Sequence, residues 1–132
     1  MKGGNFMGIV WFNERPKDGI ATLYEGNITL NKVAIENLED AFSVMLGIDY
    51  DKKLVYIKPL SKDQDQRGDI PEKSKYKITI RSSYGRISNK DFMQELSSIM
   101  NRNLKNPVKC VTTWDFDEKV LIIDLSNIKE GE

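Results

Sequence analysis

Apolar and polar residues alternate along most of the chain in short stretches, separated by clusters of Gly, Asn, Asp, Ser and Pro. That pattern predicts short antiparallel strands joined by tight turns, not long helices. FMGIVWF (6–12) has the apolar density of a buried strand, NERPKDG after it reads as a turn, and IATLY (20–24) is the expected return strand. Glu25, Gly26 and Asn27 then turn the chain into ITL, a third strand. Asn31 is placed to cap a helix over KVAIENLEDAF, in which Val33 or Ala34, Leu38 and Ala41 or Phe42 fall at helical spacing. SVMLGIDY and KLVYIKPL flank Asp51-Lys52 as a hairpin, and Pro59, with no N–H to donate, fits near the end of that ladder.

The polar stretch 61–74, SKDQDQRGDIPEKS, has one apolar residue, Ile70, and reads as a linker or long exposed loop. Beyond it the order of elements recurs. YKITI alternates as a strand, RIS follows a turn, and Asn89 precedes KDFMQELSSIMNRN, whose Phe92, Leu96 and Ile99 or Met100 make one apolar stripe. VKCVTTW and KVLIIDL then flank Asp117-Glu118 as a second hairpin. GNITLNK (26–32) is echoed by GRISNK (85–90), although the second copy lacks a residue equivalent to Leu30. YDKKLVYIKPL is matched in register by FDEKVLIIDLS. A duplicated half-domain accounts for both echoes. The glycine of each phrase is expected to permit a turn and the asparagine to cap a helix.

A chain of 132 residues makes one ordinary domain, and two independent cores of half that size would be marginal. The expected architecture is therefore α+β over residues 1–132: mainly antiparallel strands with two short helices. Its two related strand-helix-hairpin halves, about 19–60 and 75–126, are joined by the linker 61–74 and share one core, either barrel-like or as two packed sheets. No apolar run reaches the roughly 20 residues of a membrane span, and the N-terminal MKGGNFMGIVWF carries no small-residue cleavage site, so a cytoplasmic location is expected.

Composition removes several chemistries. There is no histidine, which excludes Ser-His and Cys-His catalysis and the usual zinc sites. The single cysteine, Cys110, cannot form an internal disulfide and sits as a small apolar strand residue. Twenty cationic and 20 anionic side chains cancel, so any attraction to nucleic acid must come from a local patch.

One such patch stands out. The stretch 72–90 concentrates Lys73, Lys75, Lys77, Arg81, Arg86 and Lys90 with Tyr76 and Tyr84. Alternation places Lys75, Lys77 and Thr79 on one strand face, a stripe suited to displacing counterions from a phosphate backbone, or equally to a solvated outer face that discourages edge pairing. Asp49-Tyr50-Asp51 and Asp115-Phe116-Asp117 each set two carboxylates two residues apart, but at hairpin tips aspartates bond to the local backbone, and two carboxylates alone are too few for a hard cation. Trp11, Phe12, Trp114 and Phe116 are core residues or an aromatic contact patch.

With the repeat in view, each half resembles the swapped-hairpin domain of AbrB-type transcription regulators, in which a Gly-Arg-Ile-like strand leads to a capped helix and then a hairpin. The resemblance covers Gly26 to Leu60 and, less closely, Gly85 to Leu125. It implies two interlocked halves forming one DNA-binding barrel, here within one chain. Asn31 stands where that family has proline, Ile35 and Glu36 stand where it has arginines, and only Arg86 matches the arginine after the glycine, Asn27 replacing it in the first half. The whole chain also resembles a group of bacterial, archaeal and phage proteins, a resemblance that implies no activity. The expectation is a non-catalytic DNA-binding or regulatory module without cofactor or metal, with phosphate contacts from Lys75, Lys77, Arg81, Arg86 and Lys90. The alternative is an interaction or oligomerisation scaffold for a protein partner or a second copy.

Overall fold

The computed structural model describes Ile9 and residues 18–129. Apart from Ile9, the segments FMGIVWF and NERPK, with Trp11 and Phe12, lie outside the described residues. Among the described residues there are eight strands: β1 (Gly19–Leu23), β2 (Asn27–Asn31), β3 (Ser43–Asp49), β4 (Leu54–Leu60), β5 (Thr79–Ile80), β6 (Tyr84–Ser88), β7 (Val108–Asp115) and β8 (Val120–Ile128). Two α-helices accompany them, α1 (Lys62–Gln66) and α2 (Lys90–Met100). The α+β character predicted from alternation holds, and every pairing is antiparallel.

All eight strands lie in one sheet of order β3-β4-β8-β7-β1-β2-β6-β5. The sheet curls until its two ends touch: Val44 of β3 bridges Tyr76, just before β5, through two backbone bonds of 2.9 and 2.8 Å. Inside the curl, alternate strand residues form one core that includes Leu23, Ile28, Ile57, Ile87, Leu121 and Ile123, all at most 2% exposed. Each such side chain contributes on the order of 1.5–3 kcal/mol by leaving water. Both predicted hairpins form, β3 with β4 and β7 with β8. Pro59 pairs with Val44 but lies beyond the β4·β8 ladder, which ends at Ile57, so no bond to β8 is lost there.

The helix predicted over KVAIENLEDAF does not form. Asn31 caps as expected, its Oδ1 accepting from the Ala34 N–H at 3.0 Å, but residues 32–40 continue as linked turns. Ile35 reaches back four residues to the Asn31 carbonyl, whereas Glu36, Leu38 and Ala41 each bond three residues back. The reason is packing. Ala34, Ile35 and Leu38 are buried, and the close approach of Ala34 and Ile35 to Gly19 and Gly85 is what the turns deliver. β-Branched Val33 and Ile35 add to the bias against regular helix. Phe42, expected on the apolar stripe, is 49% exposed.

Two glycines receive this turn segment. A Cβ on Gly19 would stand 3.2 Å from the Ala34 Cα, and one on Gly85 would stand 2.9 Å from the Ile35 Cγ2. Neither glycine has positive φ. The glycine of GRISNK therefore makes room for a neighbour within a strand and does not open a turn, which corrects the expectation for Gly85. A Cβ at Gly26 would meet only the Lys90 Cγ, at 3.7 Å.

In the second half the predicted helix is real. The Asn89 Oδ1 accepts from the Phe92 N–H at 2.8 Å, Met93 and Leu96 are buried, and Asn101 ends α2 in the left-handed conformation. The stripe is centred on Met93 and Leu96, with Phe92, Ile99 and Met100 packed partly buried against the core. The 61–74 stretch contains α1, whose Ser61 and Gln64 form a reciprocal capping box, and a 3₁₀ turn at Glu72–Ser74.

Candidate nucleic-acid interface

Cross-strand rows determine which side chains meet on the outer face. Lys109 of β7 lies opposite Thr22 of β1, Thr22 opposite Thr29 of β2, Thr29 opposite Arg86 of β6, and Arg86 opposite Thr79 of β5. All five point away from the core, since Cys110, Leu23, Ile28, Ile87 and the other alternates are buried. On one side of this row is the pair Asn27–Ser88 and on the other Asn31–Tyr84. The three rows hold two cations, hydroxyl and amide groups and no carboxylate. At ~4.8 Å between strands, Lys109 and Arg86 stand on the order of 14 Å apart.

The sequence-predicted cations divide around this face. Arg86 is central and exposed. Lys77 is exposed just before β5, and Arg81 is exposed at the start of the β5–β6 turn, its guanidinium donating to the Ile80 carbonyl at 3.4 Å. Lys90, exposed at the first position of α2, shares a cavity of about 290 Å³ with Glu25, Gln94 and Ser97, floored by Met93 and Leu104. Among the described residues Lys77, Arg81, Arg86, Lys90 and Lys109 enter no salt bridge. Lys32 adds a further exposed cation, its Nζ donating to the Ser82 carbonyl across the β2–β6 end at 3.1 Å.

Lys75 is separated from the others. Its side chain is 8% exposed and its Nζ donates to the Glu72 carboxylate at 2.9 Å and to the Asp65 carbonyl at 2.5 Å, with the Asp65 carboxylate 3.7 Å away. Its bond to the Glu72 carboxylate holds the Lys75 pKa above the usual lysine range. The Asp65 carboxylate also accepts the Ser43 hydroxyl at 2.6 Å, so Lys75 ties α1 to the start of β3.

Other candidate groups have structural partners. Asp49 accepts the Lys52 N–H, and Asp115 accepts those of Asp117 and Glu118, the turn role expected of hairpin-tip aspartates. No group of three or more metal-ligating side chains occurs among the described residues. Burial, together with the Asp124 carboxylate, pushes the Cys110 thiol pKa up to about 12, which leaves it un-ionised at neutral pH. Trp114 is half-buried and meets Phe116 edge-on, with ring centres 6.4 Å apart.

Lys109 was not among the predicted contacts. The alternation in VKCVTTW was the available signal: with Cys110 inward, Lys109 must face out. No helix among the described residues is long and apolar enough to cross a membrane. Compared with family models, with curated proteins and with solved structures, the chain gives no match in any of the three.

Proposed function

We propose that the protein is a non-catalytic DNA-binding or regulatory module whose two related halves share one core, with Lys77, Arg81, Arg86, Lys90 and Lys109 as its phosphate contacts and Lys75 as a positioning residue. The observation that carries this reading is the cross-strand row from Lys109 to Thr79 together with its neighbours, which among the described residues holds cations in no salt bridge and no carboxylate until Asp18, beyond Lys109, meets Lys129, in a chain of zero net charge. Cations without paired anions release counterions when they meet phosphate, and hydroxyl and amide groups between them can bond to phosphates or base edges.

The test is binding of a fluorescent 30-base-pair duplex at 50 and 200 mM salt. Four or five phosphate contacts predict a fall in affinity of about 10²-fold or more between the two conditions. The charge-reversed pair Arg81→Glu and Arg86→Glu should abolish binding, while Lys75→Gln should leave the salt dependence of any residual affinity unchanged. Absence of binding at 50 mM salt would sink the reading.

The second reading, a protein-interaction scaffold, draws on Tyr50 and Phe116, 57% and 74% exposed at the tips of the two long hairpins. Concentration-dependent self-association that Phe116→Ser removes would favour it over the first.

A further inference from the structure

The strand registers relate the two halves in detail. With Gly26 aligned to Gly85 and Tyr50 to Phe116, Ile28 corresponds to Ile87 and Tyr56 to Ile122. Each of these pairs consists of direct cross-strand partners, the first in β2·β6 and the second in β4·β8. A residue that faces its own counterpart marks a two-fold axis. The hairpins agree: Leu46 opposite Ile57 becomes Thr112 opposite Ile123, and Asp49 opposite Leu54 becomes Asp115 opposite Val120. Lys53 and Lys119, equivalent turn residues, share a left-handed φ of 57° and 55°. The pairing of Ala21 with Cys110 corresponds to the bridge between Tyr76 and Val44 that joins the ends of the sheet.

The charges do not follow this symmetry. Through the same pairings Arg86 corresponds to Asn27 and Lys77 to Thr22. Arg81 lies in the extra length of the second hairpin, beyond the Thr79–Arg86 pair, and has no counterpart. Lys109 corresponds to Ser43, which is buried. Asn27 is occupied locally, its Oδ1 accepting the Thr29 hydroxyl at 3.3 Å. On the β6 side of the axis the outer face thus presents Lys77, Arg81 and Arg86. On the β2 side it presents Lys109, two strands farther out, and opposite it Lys129, whose charge is met by the Asp18 carboxylate at 3.2 Å. Lys32 and Lys90 correspond to each other and do not break the symmetry.

From this we infer that the face binds a non-palindromic DNA sequence as a single chain, anchored mainly on the β5–β6 side. The inference rests on the nucleic-acid reading of this face. A palindrome presents the same phosphates and base edges to both sides of a two-fold axis, and here Lys77, Arg81 and Arg86 on the β6 side have no cationic counterparts on the other. At the axis the Ser88 hydroxyl and the Asn27 side-chain NH₂ supply groups suited to base edges.

The test selects bound duplexes from a randomised library, then measures chains per shortest duplex that keeps full affinity, by native mass spectrometry. The expected result is a motif without dyad symmetry and one chain per duplex. In addition, Arg86→Asn should lower the magnitude of the salt slope by about one. A dyad-symmetric motif, two chains per shortest duplex, or binding with no sequence preference would overturn the inference while leaving DNA binding intact. Failure to bind any duplex at 50 mM salt would instead remove the proposed function itself.

Discussion

Gly26 and Gly85 occupy the same place in two echoing phrases but face different neighbours. A methyl group at Gly85 must displace the Ile35 side chain inside a packed curl, whereas at Gly26 it meets a flexible lysine stem at ordinary contact distance. Gly85→Ala should therefore cost about 1–3 kcal/mol, and Gly26→Ala should change stability by less than about 0.5 kcal/mol, both read from urea melts. Equal effects would show that the close approach of Ile35 is not the constraint. Cys110 makes a second residue-level prediction. Its thiol pKa is raised in the folded protein, so folding is favoured fully below the ordinary thiol value, and that contribution is lost as pH rises toward about 12. Between these values the unfolded chain loses a proton that the folded chain keeps, so stability falls by up to about 1.4 kcal/mol per pH unit from this group. Urea midpoints from pH 8.5 to 10.5 should fall less steeply for Cys110→Ala than for the unaltered protein.

At the scale of elements, the strands and α2 were legible, and the turn segment 32–40 and α1 were not. Alternation and turn residues located both long hairpins, because those signals are local and the core needs only one face of each strand. The turn segment 32–40 defeated the helical reading because its conformation is decided by Gly19 and Gly85, which are distant in sequence and vacate space for Ala34 and Ile35. α1 was hidden for the opposite reason: SKDQDQ has no apolar face, and only its Ser-x-x-Gln capping box announced a helix. For the interface, charge density pointed to the β5–β6 region. Sequence could not show that Lys75 is enclosed by Asp65 and Glu72, since that enclosure depends on how α1 folds back. Asp65→Ala leaves the Ser43 hydroxyl without its acceptor and the covered Lys75 ammonium with the exposed Glu72 as its carboxylate. It should cost about 1–3 kcal/mol, and Lys75→Met in the same background should recover part of that loss. A double mutant no more stable than Asp65→Ala would argue against the cluster as the element's anchor.

For the molecule as a whole, the sheet is uneven in strength along its curl. The long ladders β3·β4, β7·β8 and β4·β8 run through the core, while the two ends meet through a single bridge between Val44 and Tyr76, braced by α1. That junction is held by only two backbone bonds, so the Val44 and Tyr76 amides should exchange with deuterium faster than the hydrogen-bonded amides of the β4·β8 ladder. Uniform protection would mean that the sheet opens only as a unit. The interleaved order has a further effect during synthesis. β3 and β4 are complete as a hairpin long before β8 exists, yet β8 is the strand that covers the free edge of β4. At translation rates of about 5–20 residues per second, that edge waits on the order of several seconds, in a crowded cell, for its partner to emerge from the ribosome.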